Sequence, residues 1–138
     1  MRLLLDTNVV LDVMLDRRPF AADSSIVMAS AETGGTEAYL CATTITTIHY
    51  LAAKTLGRKE AARQIANLLR IFRIAPVTAA ILNAALQIET RDFEDAVLFE
   101  AAKGIQAEAI ITRNPADFPK NDIPIHTPKD MVEMLGTD

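Results

Sequence analysis

The sequence predicts an α/β fold, a three-layer α/β/α sandwich with a central, mainly parallel sheet. Short apolar runs such as Leu3-Leu4-Leu5 and Ala109-Ile110-Ile111 read as buried strands. Longer segments between them carry apolar residues at helical spacing. Gly, Pro and Thr punctuate the two kinds of segment. Strands that alternate with helices imply parallel pairing, with helices on both sheet faces.

The first strand is the leucine run, and it ends at Asp6. Val9 to Leu15 follows as a helix, broken by Asp16-Arg17-Arg18-Pro19. Pro19 suits the first turn of a second helix, which runs to about Thr33 and stops at Gly34-Gly35. Ala38 to Cys41 is the next strand. The stretch after it is β-branched, but Ile45, Ile48, Leu51 and Ala52 recur at helical spacing. It reads as a helix capped by Thr43 or Thr44 and ending near Gly57. Lys59 to Phe72 is amphipathic, with Ile65, Leu68, Leu69 and Phe72 on one side. That stripe suits either the core or contact with a second copy. Arg73 to Ala75 is a short strand, and Thr78 caps a helix through Ile88. Asp92 to Ile105 is a helix and Ala109 to Thr112 a strand. Asn114 to Pro119 is a loop, Ile123 to Thr127 a last strand, and Pro128 opens a closing helix.

Residues 1–138 read as one domain, long enough for a sizeable core. Hydrophobic residues make up 50% and charged residues 23%, while aromatics are 5% and Trp is absent. The core is therefore aliphatic. No apolar run reaches membrane-spanning length, and Asp6 and Asp12 interrupt any signal-peptide core. A cytoplasmic protein without membrane contact is expected. Cys41 is the sole cysteine and suits a small core side chain. A net charge of −4 and pI near 5.1 argue against strong non-specific nucleic-acid binding. They leave room for an enzyme that binds RNA through metals and a local basic patch.

The chemistry-bearing residues are acids at element ends. Asp6 closes the first strand, where ligands gather in open α/β sheets. It reads equally as a ligand or, with Thr7, as a helix cap. Asp92-Phe93-Glu94-Asp95 opens a helix, and Asp92 and Asp95 share a face. Acids there also complement the helix dipole. Thr112-Arg113-Asn114-Pro115-Ala116-Asp117 follows a strand, and its polar residues also suit local turns. Carboxylates gathered at a sheet edge repel one another, and a divalent cation relieves this. Mg²⁺ keeps several waters, so two or three carboxylates suffice. Such a site suits metal-assisted phosphodiester hydrolysis.

Leu-Leu-Leu-Asp-Thr-Asn, Asp-Phe-Glu-Asp-Ala before an Ala-rich helix, and Ile-Thr-Arg-Asn-Pro-Ala-Asp-Phe together resemble a PIN domain. The resemblance covers nearly the whole chain. It implies an RNase-H-like sandwich and an Mg²⁺- or Mn²⁺-dependent nuclease for single-stranded RNA, of the kind found as VapC toxins with an antitoxin partner. It implies Asp6, Asp95 and Asp117 as catalytic acids and metal ligands, with Asp92 and Asn114 as further ligands. Thr7, Asn8 and Thr112 would orient ligands or water. Small PIN proteins often form homodimers. The helix after the second strand departs from the pattern. A Glu is usual there, and Thr46-Thr47-Ile48 leads instead to His49. His49 reads as a helix residue at the core edge or as a substitute ligand, better suited to Mn²⁺ than Mg²⁺. Arg17, Arg18, Arg91 and Arg113 flank the acidic motifs and are candidate RNA contacts. Two other classes compete: a catalytically degenerate PIN-like module that binds RNA or protein, and a phosphotransferase of the haloacid-dehalogenase kind. The latter wants a second Asp where Asn8 stands.

Overall fold

A computed structural model describes residues 1–120 and 123–136. Its five strands are β1 (Arg2–Leu5), β2 (Glu37–Cys41), β3 (Arg73–Ala75), β4 (Ala109–Ile111) and β5 (Ile125–His126). They form one sheet in the order β3-β2-β1-β4-β5, with every pairing parallel. The helices are α1 (Thr7–Met14), α2 (Ala21–Glu32), α3 (Ala42–Leu56), α4 (Arg58–Ile71), α5 (Ala79–Ala85), α6 (Phe93–Gly104) and α7 (Pro128–Leu135).

The leucine run shows how the layers arise. Side chains alternate across a strand. Leu3 and Leu5 enter one core with Val9, Val27, Ile48 and Leu68, between the sheet and α1 to α4. Leu4 enters the other with Ala85, Val97, Phe99 and Ile110, between the sheet and α5 and α6. Met131 of α7 joins the first core. Phe99 is the largest fully buried side chain, and α6 meets α5 and the sheet through small residues such as Ala96, Ala101 and Ala102.

Several boundaries differ from the sequence expectation. Helix α2 begins at Ala21, not Pro19, and Phe20 at its cap position makes no side-chain bond. Neither Thr43 nor Thr44 caps α3. The cap position is Cys41, with no side-chain capping bond, and the Thr44 hydroxyl is spent elsewhere. Thr78 does cap α5, which ends at Ala85. Gly57 joins α3 to α4 at φ +88°, a left-handed backbone that favours glycine. On α4 the buried stripe is Ala61, Leu68 and the following Phe72, with Ile65 partly buried, while Leu69 is 51% exposed. Most of the stripe is therefore used inside this chain, and Leu69 is the part of it left at the surface. No helix among the described residues is long and apolar enough to cross a membrane.

Candidate active site

From β1 the chain runs out to β3 on one side, then returns to β4 and β5 on the other. The carboxyl ends of β1 and β4 thus flank a topological switch point, where open α/β sheets bind ligands.

Asp6 sits at that point. Its backbone N–H donates to the Ile111 carbonyl at 2.8 Å, which ties it to the end of β4. One carboxylate oxygen accepts from the Thr7 backbone N–H at 2.7 Å and caps α1. The other accepts from the Thr112 hydroxyl at 2.7 Å. Thr112 is fully buried, and its hydroxyl also accepts from the Asn114 N–H at 3.1 Å. Each Asp6 oxygen keeps a second acceptor site free. The residue is only 7% exposed. Burial raises its pKa, and the charges of Asp117 and Asp92 add to that. The bonds from Thr112 and Thr7 work in the opposite direction.

Helix α6 brings the second group. Asp92 caps it, accepting from the Glu94 N–H at 2.9 Å. Asp95 is pushed up to about 7, chiefly by burial, then by the charges of Asp6, Asp92, Asp117 and Glu94. Glu94 is also raised, first by burial, then by Asp92 and Asp6. Hydroxyls approach it from two helices: Thr7 Oγ1 donates to Glu94 Oε1 at 3.4 Å, and the Thr47 hydroxyl of α3 lies on the same carboxylate's side and lowers its pKa. Thr7 Oγ1 lies 3.0 Å from Thr44 Oγ1.

The third group follows β4. Asp117 ends a single 3-10 turn (Pro115–Asp117), anchored by the buried Phe118. It lines a cleft of about 670 Å³ with Glu89, Thr90, Arg91, Ala116, Phe118 and Pro119. Asn114, just before the turn, is exposed. Asn8 accepts from the Arg113 backbone N–H at 3.4 Å and links α1 to this loop.

The structure thus gathers Asp6, Asp92, Glu94, Asp95 and Asp117 within reach of one another's charge. All are hard oxygen donors. Among the described residues no three His, Cys, Asp or Glu side chains stand close enough to clasp an ion unaided. The set fits Mg²⁺ or Mn²⁺ held by one or two carboxylates and retaining water, not a closed all-protein cage.

His49 lies apart from this group. Thr44 and Thr47 mark the face of α3 that meets Thr7 and Glu94. At 3.6 residues per turn, His49 is rotated about 140° from Thr44 and about 160° from Thr47. It is half-buried and has no polar partner among the described residues.

The arginines divide. Arg113 Nε lies 2.7 Å from the wholly buried Asp12, and its guanidinium covers the Phe20 ring at 4.1 Å. Arg17 lies 3.8 Å from Asp12. These two cations serve a buried carboxylate. Arg18 is 85% exposed beside Asp16, and Arg91 lines the cleft with Asp117. Sequence reasoning passed over Asp12 and Glu94. Asp12 sits on the apolar face of α1, and that placement was its only signal. Glu94 was visible as an acid but passes for a dipole partner.

The family model described as PIN domain matches residues 2–116. No curated protein matches the chain in sequence. Among solved structures, a DNA-bound FitAB complex aligns at TM-score 0.69 and 21% identity, over 91% of this chain and 94% of that one. A DNA-bound VapBC from Salmonella typhimurium aligns at 0.70 and 14%, over 93% and 98%. The sarcin-ricin loop cleaving toxin VapC20 of Mycobacterium tuberculosis aligns at 0.63 and 15%, over 78% and 86%.

Proposed function

The chain belongs to the PIN-domain family, and we propose that it is a divalent-metal-dependent ribonuclease acting on single-stranded RNA, with residues 1–138 working as one domain. One observation carries the reading: five acids from β1, α6 and the loop after β4 converge where the sheet order switches, at the cost of burial and mutual repulsion. A bound Mg²⁺ or Mn²⁺ would offset that repulsion, activate a water and stabilise charge on the phosphoryl oxygens. One or two of Asp6, Asp95 and Asp117 would hold it directly, and the rest through its retained waters. Asp92 supports them from the α6 cap, and Asn114 flanks Asp117. Thr112 and Thr7 fix the Asp6 carboxylate, and Asn8 braces the loop. Of the four arginines that flank the acidic motifs, Arg91 in the cleft and the exposed Arg18 are the ones placed to meet phosphate.

The solved structures it resembles include a toxin–antitoxin complex from Klebsiella pneumoniae and the VapC20 toxin, which supports reading this chain as a toxin with an antitoxin partner. Expression of the chain alone should arrest growth, and co-expression of that partner should relieve it.

The direct test is cleavage of a single-stranded RNA with Mg²⁺, Mn²⁺ or EDTA. Asp6→Asn and Asp95→Asn should each abolish cleavage and keep a folded circular-dichroism spectrum. Undiminished cleavage by both variants would rule these acids out. A second reading, a metal-binding module without turnover, is favoured by α3 presenting only hydroxyls toward the site. Metal binding with no cleavage of any RNA would select it.

A further inference from the structure

Resting on the reading of these acids as a cation site, we infer that Glu94 is the acid that serves the cation from the α3 side, aimed there by Thr7 and Thr47. Glu94 is not needed to start its own helix. Asp92 already caps α6 and accepts the Glu94 backbone N–H. A glutamate in the first turn of a surface helix normally extends into water, where its charge costs least. Glu94 instead lies half-buried, turned toward Asp6 and Asp92, which both repel it.

The hydroxyls account for its direction. Thr7 directly follows the buried Asp6, and Thr44 fixes the Thr7 hydroxyl from α3 at 3.0 Å. Thr7 then donates to Glu94 at 3.4 Å, and Thr47, one turn further along α3, adds a second hydroxyl that favours the same carboxylate's charge. A hydroxyl pair set by two helices orients a ligand as outer-shell partners do. Nothing on α3 competes for the position. That helix, Ala42–Leu56, contains no Asp or Glu, and its one imidazole, His49, is on the far side. A threonine brings no negative charge to a cation, and Glu94 supplies one there from α6.

The test is Mn²⁺ binding, followed by the electron paramagnetic resonance of free Mn²⁺ and by calorimetry, in wild type, Glu94→Gln, Glu94→Gln/Thr47→Glu and Asp6→Asn. Glu94→Gln keeps an acceptor for both threonines and should weaken Mn²⁺ binding about tenfold or more, the usual scale for such groups. The double variant places a carboxylate at the same point from α3 and should recover most of the loss. Metal-free Glu94→Gln should also melt higher than wild type, because one repelling charge is gone. Wild-type affinity in Glu94→Gln, alongside weakened binding in Asp6→Asn, overturns the inference and leaves the ribonuclease reading standing. No recovery in the double variant overturns it as well, since position 47 would then not face the cation. No Mn²⁺ binding by wild type removes both.

Discussion

Asp95 holds its proton far more tightly in the folded protein than an ordinary carboxyl does, near 7 against 3.8. Between those values the folded state binds more protons than the unfolded one, so stability falls as pH rises. The contribution is full below the unfolded value and gone above about 7. Asp6 and Glu94, also raised, act in the same sense. Metal-free protein should therefore melt lower at slightly alkaline pH than at mildly acidic pH, and Asp95→Asn should flatten that slope. Melting in EDTA across the range checks this, and the wild-type-minus-variant difference isolates Asp95 from surface groups. Asp12 gives a second prediction. Its carboxylate is wholly buried against Arg113 and Arg17. Asp12→Ala strands those cations and should cost about 3 kcal/mol in denaturant unfolding. Arg113→Ala should cost a similar amount, and the double variant clearly less than the sum.

Among the elements, α4 separates what a periodicity argument captures from what it misses. Leu68 and Leu69 both fit the amphipathic pattern, yet Leu68 is 4% exposed and Leu69 51%. Leu68→Ala should cost about 2–5 kcal/mol, and Leu69→Ala no more than about 0.5 kcal/mol, read from chemical denaturation. The alternation of strand and helix was legible because each strand is a short apolar run between breakers. Strand β5 was harder to bound, because only Ile125 and His126 pair. The start of α3 was misjudged for a physical reason. Its threonines resemble caps, but Thr44 and Thr47 face across to Thr7 and Glu94. Strand-end position marked Asp6, and helix-start position marked Asp92 and Asp95. Glu94 stood between the latter two, with a dipole explanation that hid its orientation. The Asp12–Arg113 pair joins opposite ends of the chain, and single-sequence spacing carries no trace of such a contact.

For the whole molecule, strand order explains why so much charge collects in one place. All five strands run parallel, so their carboxyl ends share one edge. The reversal between β1 and β4 parts the flanking loops there and leaves room for side chains from α6 and the loop after β4. The two helical layers divide the work. The side holding α1 and α3 supplies hydroxyls and the cap around Asp6, and the side holding α6 supplies three acids.

Two of the bonds that fix Asp6 come from Ile111 and Thr112, more than a hundred residues later in the chain. A ribosome releases Asp6 long before it releases either partner, and growing chains fold from their beginnings. During synthesis β1 can pair with β2, but the first carboxylate has no hydroxyl to hold it until β4 emerges and docks. The acid site is therefore assembled among the last parts of the protein, and a growing chain that stops short of Thr112 holds Asp6 without its long-range partners.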